Sequence, residues 1–172
     1  MKTKMFPAIM VLLMFISFHE LWAQTTESKL NQVELMKQLL GNWETKFSNG
    51  NSMILDFTAF GNAMIGNAKS VTKDTIIHVI TEFWGYDDKN DKILVAELFN
   101  NTPVMEIDVL WFSSESTIEG ILLKDRLNPE NAALKYRIEI KSPDTFLMIT
   151  VQNNTDSSIL TWTRTKVYFD KK

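Results

Sequence analysis

Outside its N-terminal apolar segment, the chemistry open to this sequence rests on carboxylates and one imidazole. Glu82, Glu97, Glu106 and Asp108 all stand in extended, apolar-rich segments. A carboxylate facing inward from such a segment costs several kcal/mol unless it is paired or protonated. Glu82 directed at Arg137 or Lys166 would make a binding anchor or an acid of altered pKa. The plainer arrangement is an exposed ladder of cross-strand ion pairs. His78 lies four residues before Glu82 on the same segment, so the two share a face about 13 Å apart along an extended strand. That spacing excludes a direct hydrogen bond and leaves joint acid–base work only through a substrate or a water. No nucleophile or second base accompanies His78, so a strand histidine bonded to a neighbour is the simpler reading. No catalytic residue is assigned beyond the candidates Glu82 and His78. The chain has no cysteine, and a transition-metal site would have to combine His78 with carboxylates alone; neither a metal nor a cofactor is expected.

A second set of residues has the character of a pocket wall. Trp84, Tyr86, Phe99, Met105, Trp111, Met148 and Trp162 would line an apolar ligand cavity of about 300 to 1,000 Å³, or else fill it themselves. If Trp84 and Trp111 mark interior faces, Glu82, in phase with Trp84, points inward. Glu106 and Asp108, out of phase with Trp111, then point outward. Strand number decides whether the interior is open, because eight-stranded barrels are nearly filled by their own side chains and ten strands leave room. A partial cavity is expected.

A sheet must position these residues. From Asn42 onward the hydropathy period is two, and short strands alternate with turn signals at a spacing of about 8 to 12 residues. Strands are expected over residues 42–47, 52–59, 63–70, 75–86, 92–99, 104–112, 116–124, 134–141, 145–152 and 158–169, in meander order. Ser48-Asn49-Gly50-Asn51, Gly61-Asn62 and the polar run 87–91 supply turns between them. Segment 134–141 alternates most cleanly, with Leu134, Tyr136, Ile138 and Ile140 on a dry face and Lys135, Arg137, Glu139 and Lys141 on a wet one. One helix is expected over 25–40, its apolar side made by Leu30, Val33, Met36, Leu39 and Leu40 and its end set by Gly41. Its apolar stripe needs a surface to cover, and one end of the sheet provides it. The fold class is therefore all-β: an antiparallel up-and-down β-barrel of about ten strands (eight to ten), with one N-terminal helix capping an end. A β-sandwich is the alternative that patterning alone does not separate from closure.

Gly41-Asn42-Trp43, after a short helix and at the first strand, resembles the G-x-W signature of lipocalins and the wider calycin barrels. The resemblance implies that Trp43 closes one barrel end under an arginine from the last strand. Arg164, within Thr161-Trp162-Thr163-Arg164-Thr165-Lys166, stands where that partner would be, and a cation–ring contact contributes about 0.5 to 2 kcal/mol. Phe83-Trp84-Gly85-Tyr86-Asp87, a polar turn and Lys92-Ile93-Leu94-Val95 are similar to the central hairpin of a family of exported bacterial lipocalin-like proteins. That resemblance spans residues 39–169. Haem-binding barrels such as nitrobindin share the superfamily, but their ligating histidine comes from a late strand, and no histidine follows His78 here.

Residues 1–23 read as a signal peptide: Lys2 and Lys4, an apolar run over 6–18 broken only by Pro7 and Ser17, and a cleavage site at Leu21-Trp22-Ala23 before Gln24. His19 and Glu20 close the run short of the roughly 20 apolar residues of a membrane anchor. Residues 24–172 then form one barrel domain, secreted or periplasmic, with no cysteine to carry a lipid. The net charge of -3 gives no attraction for nucleic acid or anionic lipid. The expected function is an exported small-molecule-binding barrel, taking an apolar or amphipathic ligand at the end opposite the helix. The alternatives are an enzyme using carboxylate acid–base chemistry in the barrel, and a packed envelope interaction protein without a ligand.

Overall fold

The structure, a computed structural model, describes residues 29–73 and 75–166. The expected signal peptide lies outside the described residues. Ten antiparallel strands follow one another round a ring: β1 (Gly41–Lys46), β2 (Ser52–Phe60), β3 (Ala63–Val71), β4 (Ile76–Asp87), β5 (Lys92–Phe99), β6 (Met105–Ser114), β7 (Thr117–Leu122), β8 (Leu134–Ser142), β9 (Thr145–Gln152) and β10 (Thr155–Arg164). β10 pairs back onto β1, so the sheet is a closed barrel and not a sandwich. Closure leaves no open sheet edge to pair with another chain. The seam is the shortest pairing, with Trp43 opposite Arg164 and Glu44 opposite Thr163, extended by Thr165 N–H donating to Asn42 O at 2.8 Å.

Most strand bounds agree with the sequence periodicity to within a residue or two, and the differences have local causes. β7 stops at Leu122 because a 3-10 turn, Leu123–Asp125, takes over the chain. β10 begins at Thr155 and ends at Arg164, where its start is fixed by Asn153 and Asn154, both left-handed at φ 51° and 60°. Two consecutive left-handed residues make the hairpin turn whose twist suits flanking strands.

Of the helix expected over residues 25–40, residues 25–28 lie outside the described residues, and among those described the helix starts only at Gln32. α1 covers Gln32–Met36 and tightens into a 3-10 turn at Lys37–Leu39. Asn31 sets the start, since its side chain accepts the Glu34 N–H at 3.1 Å and a capping Asn holds extended backbone that ends the helix there. Buried Gln32 pins the helix to the barrel: Phe112 N–H donates to its Oε1 at 2.7 Å and its Nε2 donates to Phe112 O at 3.3 Å. Met36 and Leu39, both 1% exposed, plug the barrel end beneath. In a meander, alternate turns share an end, so the turns at 61–62, 88–91, 115–116 and 143–144 lie at the helix end. The loops at 47–51, 72–73, 100–104, 123–133 and 153–154 surround the other.

Gly41 makes the corner between helix and barrel. Its φ is 119°, and a Cβ there would run into the Arg164 guanidinium, so both backbone and space demand glycine. Gly41→Ala is expected to destabilise by about 1 to 3 kcal/mol, read as a lower urea midpoint at unchanged slope. An unchanged midpoint would mean that the corner relaxes freely.

Candidate binding site

The barrel floor is aromatic. Trp43 is 1% exposed, donates its indole N–H to Leu39 O at 2.7 Å and meets Phe146 edge-on at 4.7 Å. Phe146 in turn stacks on Trp162 at 5.9 Å. Arg164 lies 4.2 Å over the Trp43 ring and donates to Leu40 O at 2.6 Å and Pro143 O at 2.9 Å. One guanidinium therefore ties the helix exit, the β8–β9 turn and the last strand together.

Above this floor the lumen holds a cavity of about 240 Å³. Leu39, Phe57, Trp84, Phe146 and Trp162 enclose its lower part, and Met53, Ile80, Met148 and Leu160 its walls. Strand alternation sends every second side chain inward, which is how residues from β2 to β10 converge on one space. Four polar side chains share it: Glu82, Glu97, Asp108 and Tyr136. No Lys, Arg or His is among the described residues that line it.

The acids are gathered by register. Glu82 on β4 is opposite Glu97 on β5, which is opposite Glu106 on β6, and Asp108 faces the lumen one step further along β6, opposite Val95. Directly opposed residues hold their Cβ atoms about 4.5 to 5.5 Å apart, and like charges there repel. The row continues to Gly66 on β3, where a Cβ would come within 2.7 Å of the Phe57 ring and 2.9 Å of Glu82 Oε2. A glycine at this point makes room for the carboxyl group. Glu82, 8% exposed, accepts from the Trp84 indole at 2.8 Å. Burial pushes its pKa up against the lowering effect of that bond. Burial first, then the charges of Glu82, Asp108 and Glu106, pushes Glu97 up to about 8. Asp108 rises to about 6 through burial and then the Glu106 and Glu82 charges. The Tyr136 hydroxyl is raised by burial and by Asp108, Glu97 and Glu106. Among the described residues two buried side-chain polar atoms have no partner: Asp108 Oδ1 and Trp162 Nε1. Among the described residues no three His, Asp or Glu groups come together to hold a metal ion.

Three of the seven aromatic and methionine residues singled out by sequence line this cavity: Trp84, Met148 and Trp162. Tyr86 and Phe99 are in phase with the lumen but lie at opposite strand ends, and the exposed Tyr86 hydroxyl donates to Asp91 at 2.8 Å. Met105 is exposed on the outer wall. Trp111 also faces outward, which corrects the phase assigned to β6: its neighbours Asp108, Leu110 and Phe112 are the inward set. The reason is a second small core outside the barrel, where the 123–132 segment folds over Val109, Trp111 and Ile121 and Lys92 sits 4.3 Å over the indole. Glu106 and Asp108 consequently face the lumen.

His78 does not share a face with Glu82. Ala68 pairs with Ile80 and Lys69 with His78, leaving Val79 as the extra residue of a β-bulge, and a bulge reverses the alternation on one side of it. His78 is on the outside, bonded to Thr81 Oγ1 at 2.8 Å. Arg137 is outside as well, paired with Glu139 at 2.9 Å and Asp156 at 3.1 Å, and Lys166 is exposed, so neither meets Glu82. Tyr136, Phe57 and Leu160 are lining residues that the sequence did not single out as a site. The clean alternation of β8 was the available signal for Tyr136.

Fold and site together define a closed ten-stranded antiparallel barrel, compatible with a lipocalin-like fold, with a small acid-lined cavity above an aromatic floor. No protein-family model matches the chain, and no curated protein matches it.

Proposed function

We propose that this chain is an exported, non-enzymatic barrel of the lipocalin-like kind that holds a small, mainly apolar molecule in its lumen. The observation that carries this is the cavity of about 240 Å³ in which a buried carboxylate oxygen of Asp108 and the indole N–H of Trp162 lack partners. A buried polar atom left unpaired costs about 1 to 3 kcal/mol, and a ligand that reaches it recovers that cost. An apolar cavity of about 150 Å³ takes benzene, so this one suits a molecule of about ten non-hydrogen atoms. The closed ring, the Gly41-x-Trp43 corner and Arg164 over the indole support the lipocalin-like assignment. The acid–base enzyme reading loses its His78–Glu82 pair to the bulge in β4. An interaction protein built on a packed barrel fits less well, although an apolar outer row of Ile65, Phe83, Ala96 and Ile107 crosses β3 to β6.

Native mass spectrometry of protein purified from its own host is expected to show a small retained compound. Trp84 and Trp162 are in the cavity wall, so occupancy also changes intrinsic fluorescence. A bare-chain mass, together with no fluorescence response to a panel of apolar amines, alcohols and acids of about ten non-hydrogen atoms, would overturn the proposal.

A further inference from the structure

We infer that the molecule held in the lumen is a small organic cation: a protonated amine on an apolar or aromatic body, its ammonium group seated among Glu82, Glu97 and Asp108. This rests on the binding role proposed above and names its ligand class. Three carboxyl groups line one side of the cavity on β4, β5 and β6, and no lining residue among those described carries a positive charge. The nearest basic side chains on β8 are engaged elsewhere: Arg137 with Glu139 and Asp156, and Lys135 with Glu130 O and Asn154. Among the described residues no basic side chain lines the cavity beside these acids, and like-charged neighbours in register repel one another.

A second observation, independent of the clustering, points to a donor-bearing guest. Asp108 is 6% exposed and its Oδ1 accepts from nothing. An ammonium carries three donors and no acceptor, so it meets both the charge and the unfilled oxygen. Glu82 has one oxygen already bonded to Trp84. A neutral alcohol brings one donor and no charge, and an anion is repelled. The faces of Trp84, Phe57 and Tyr136, all lining residues, suit a cation and an aromatic body alike. Trp162 stands on β10, across the ring from β5, and its unpartnered N–H would take a hydrogen-bond acceptor at the ligand's other end.

The test compares three molecules of one shape at neutral pH by tryptophan fluorescence titration: 2-phenylethylammonium, 2-phenylethanol and phenylacetate. The ammonium is expected to bind at least about tenfold tighter than the alcohol, as hydrogen bonds to charged groups imply, and phenylacetate weakest. Asp108→Asn, and separately Glu97→Gln, is expected to bring the ammonium's affinity within about threefold of the alcohol's in the same variant. Both are near-isosteric and remove a carboxyl group that could carry the charge facing the ammonium, and two variants guard against one failing to fold. Equal binding of all three molecules, or a preference for phenylacetate, would overturn the cation and leave the binding role standing. An ammonium advantage unchanged in both variants would overturn the seat among these acids. No binding of any of the three overturns this ligand class, whereas a different compound retained from the host would still uphold the binding role.

Discussion

Trp43→Ala is expected to lower the unfolding free energy by about 3 to 5 kcal/mol, the range for deleting a large buried aromatic. Three losses combine. The ring is 1% exposed and packs on Phe146 at 4.7 Å, so its removal opens a void in the floor that the strands, tied on both sides, cannot close. Leu39 O loses the donor that held it at 2.7 Å, and a buried carbonyl without a partner adds about 1 to 3 kcal/mol when water cannot reach it. Arg164 loses the ring it covers at 4.2 Å. Arg164→Ala should cost less, about 1 to 3 kcal/mol, because it removes the cation–ring contact and carbonyl hydrogen bonds but leaves the floor packed. Urea unfolding of the two variants and the double variant gives the test. A Trp43→Ala loss under about 1 kcal/mol, or one smaller than that of Arg164→Ala, would mean that the floor is not what closes this barrel end.

The class of fold was legible because period-two hydropathy and turn chemistry are local, and both act on every strand. Gly61-Asn62 and Ser48-Asn49-Gly50-Asn51 fix hairpins whatever the rest of the chain does. The alternation of Leu134, Tyr136, Ile138 and Ile140 is met in the structure, where β8 turns these residues toward the lumen by register with β7 and β9. Helix length was less legible. The apolar spacing of Leu30 and Val33 continues the stripe of Met36 and Leu39, but Asn31 caps the helix between them, and capping is a competition that hydropathy does not register.

The site depended on two events that break alternation or disguise it. The bulge at Val79 moves His78 to the outside while Glu82 stays inside, and one extra residue in a strand leaves no composition signature. Trp111 misdirected the phase of β6, because a large aromatic normally marks the inside of a barrel. Here the 123–132 segment builds a small core on the outer wall and partly covers the indole there. The run Ile93, Val95 and Glu97 held the better signal: its phase sends a glutamate where valine and isoleucine go, and pairing then carries Glu106 and Asp108 inward with it.

Those inward acids give the second large effect, a stability that falls as pH rises through neutrality. Glu97 titrates at about 8 in the folded chain and Asp108 at about 6, both above the ordinary carboxylate range; Glu82 is raised too. Between the ordinary range and its folded value, each group holds a proton in the native state that the unfolded chain has released. The native state then binds more protons, and raising the pH favours unfolding by about 1.4 kcal/mol per pH unit for each such group. Partial exposure of Glu97 reduces that figure. Asp108 contributes its slope up to about pH 6 and Glu97 up to about pH 8, above which the curve levels. Glu139 and Asp87, held below their ordinary values by Lys141 and Asn90 respectively, act oppositely but only at lower pH, where their protonation removes surface bonds. The urea midpoint of the ligand-free chain is therefore expected to be highest at about pH 4 and to drop steadily toward pH 8. Glu97→Gln should flatten the drop between about pH 6 and 8 and stabilise the protein at the alkaline end, while Asp108→Asn should flatten the part below about pH 6. A wild-type midpoint that is level or rising from pH 5 to pH 8 would sink the idea that these carboxyl groups are buried without a counter-charge.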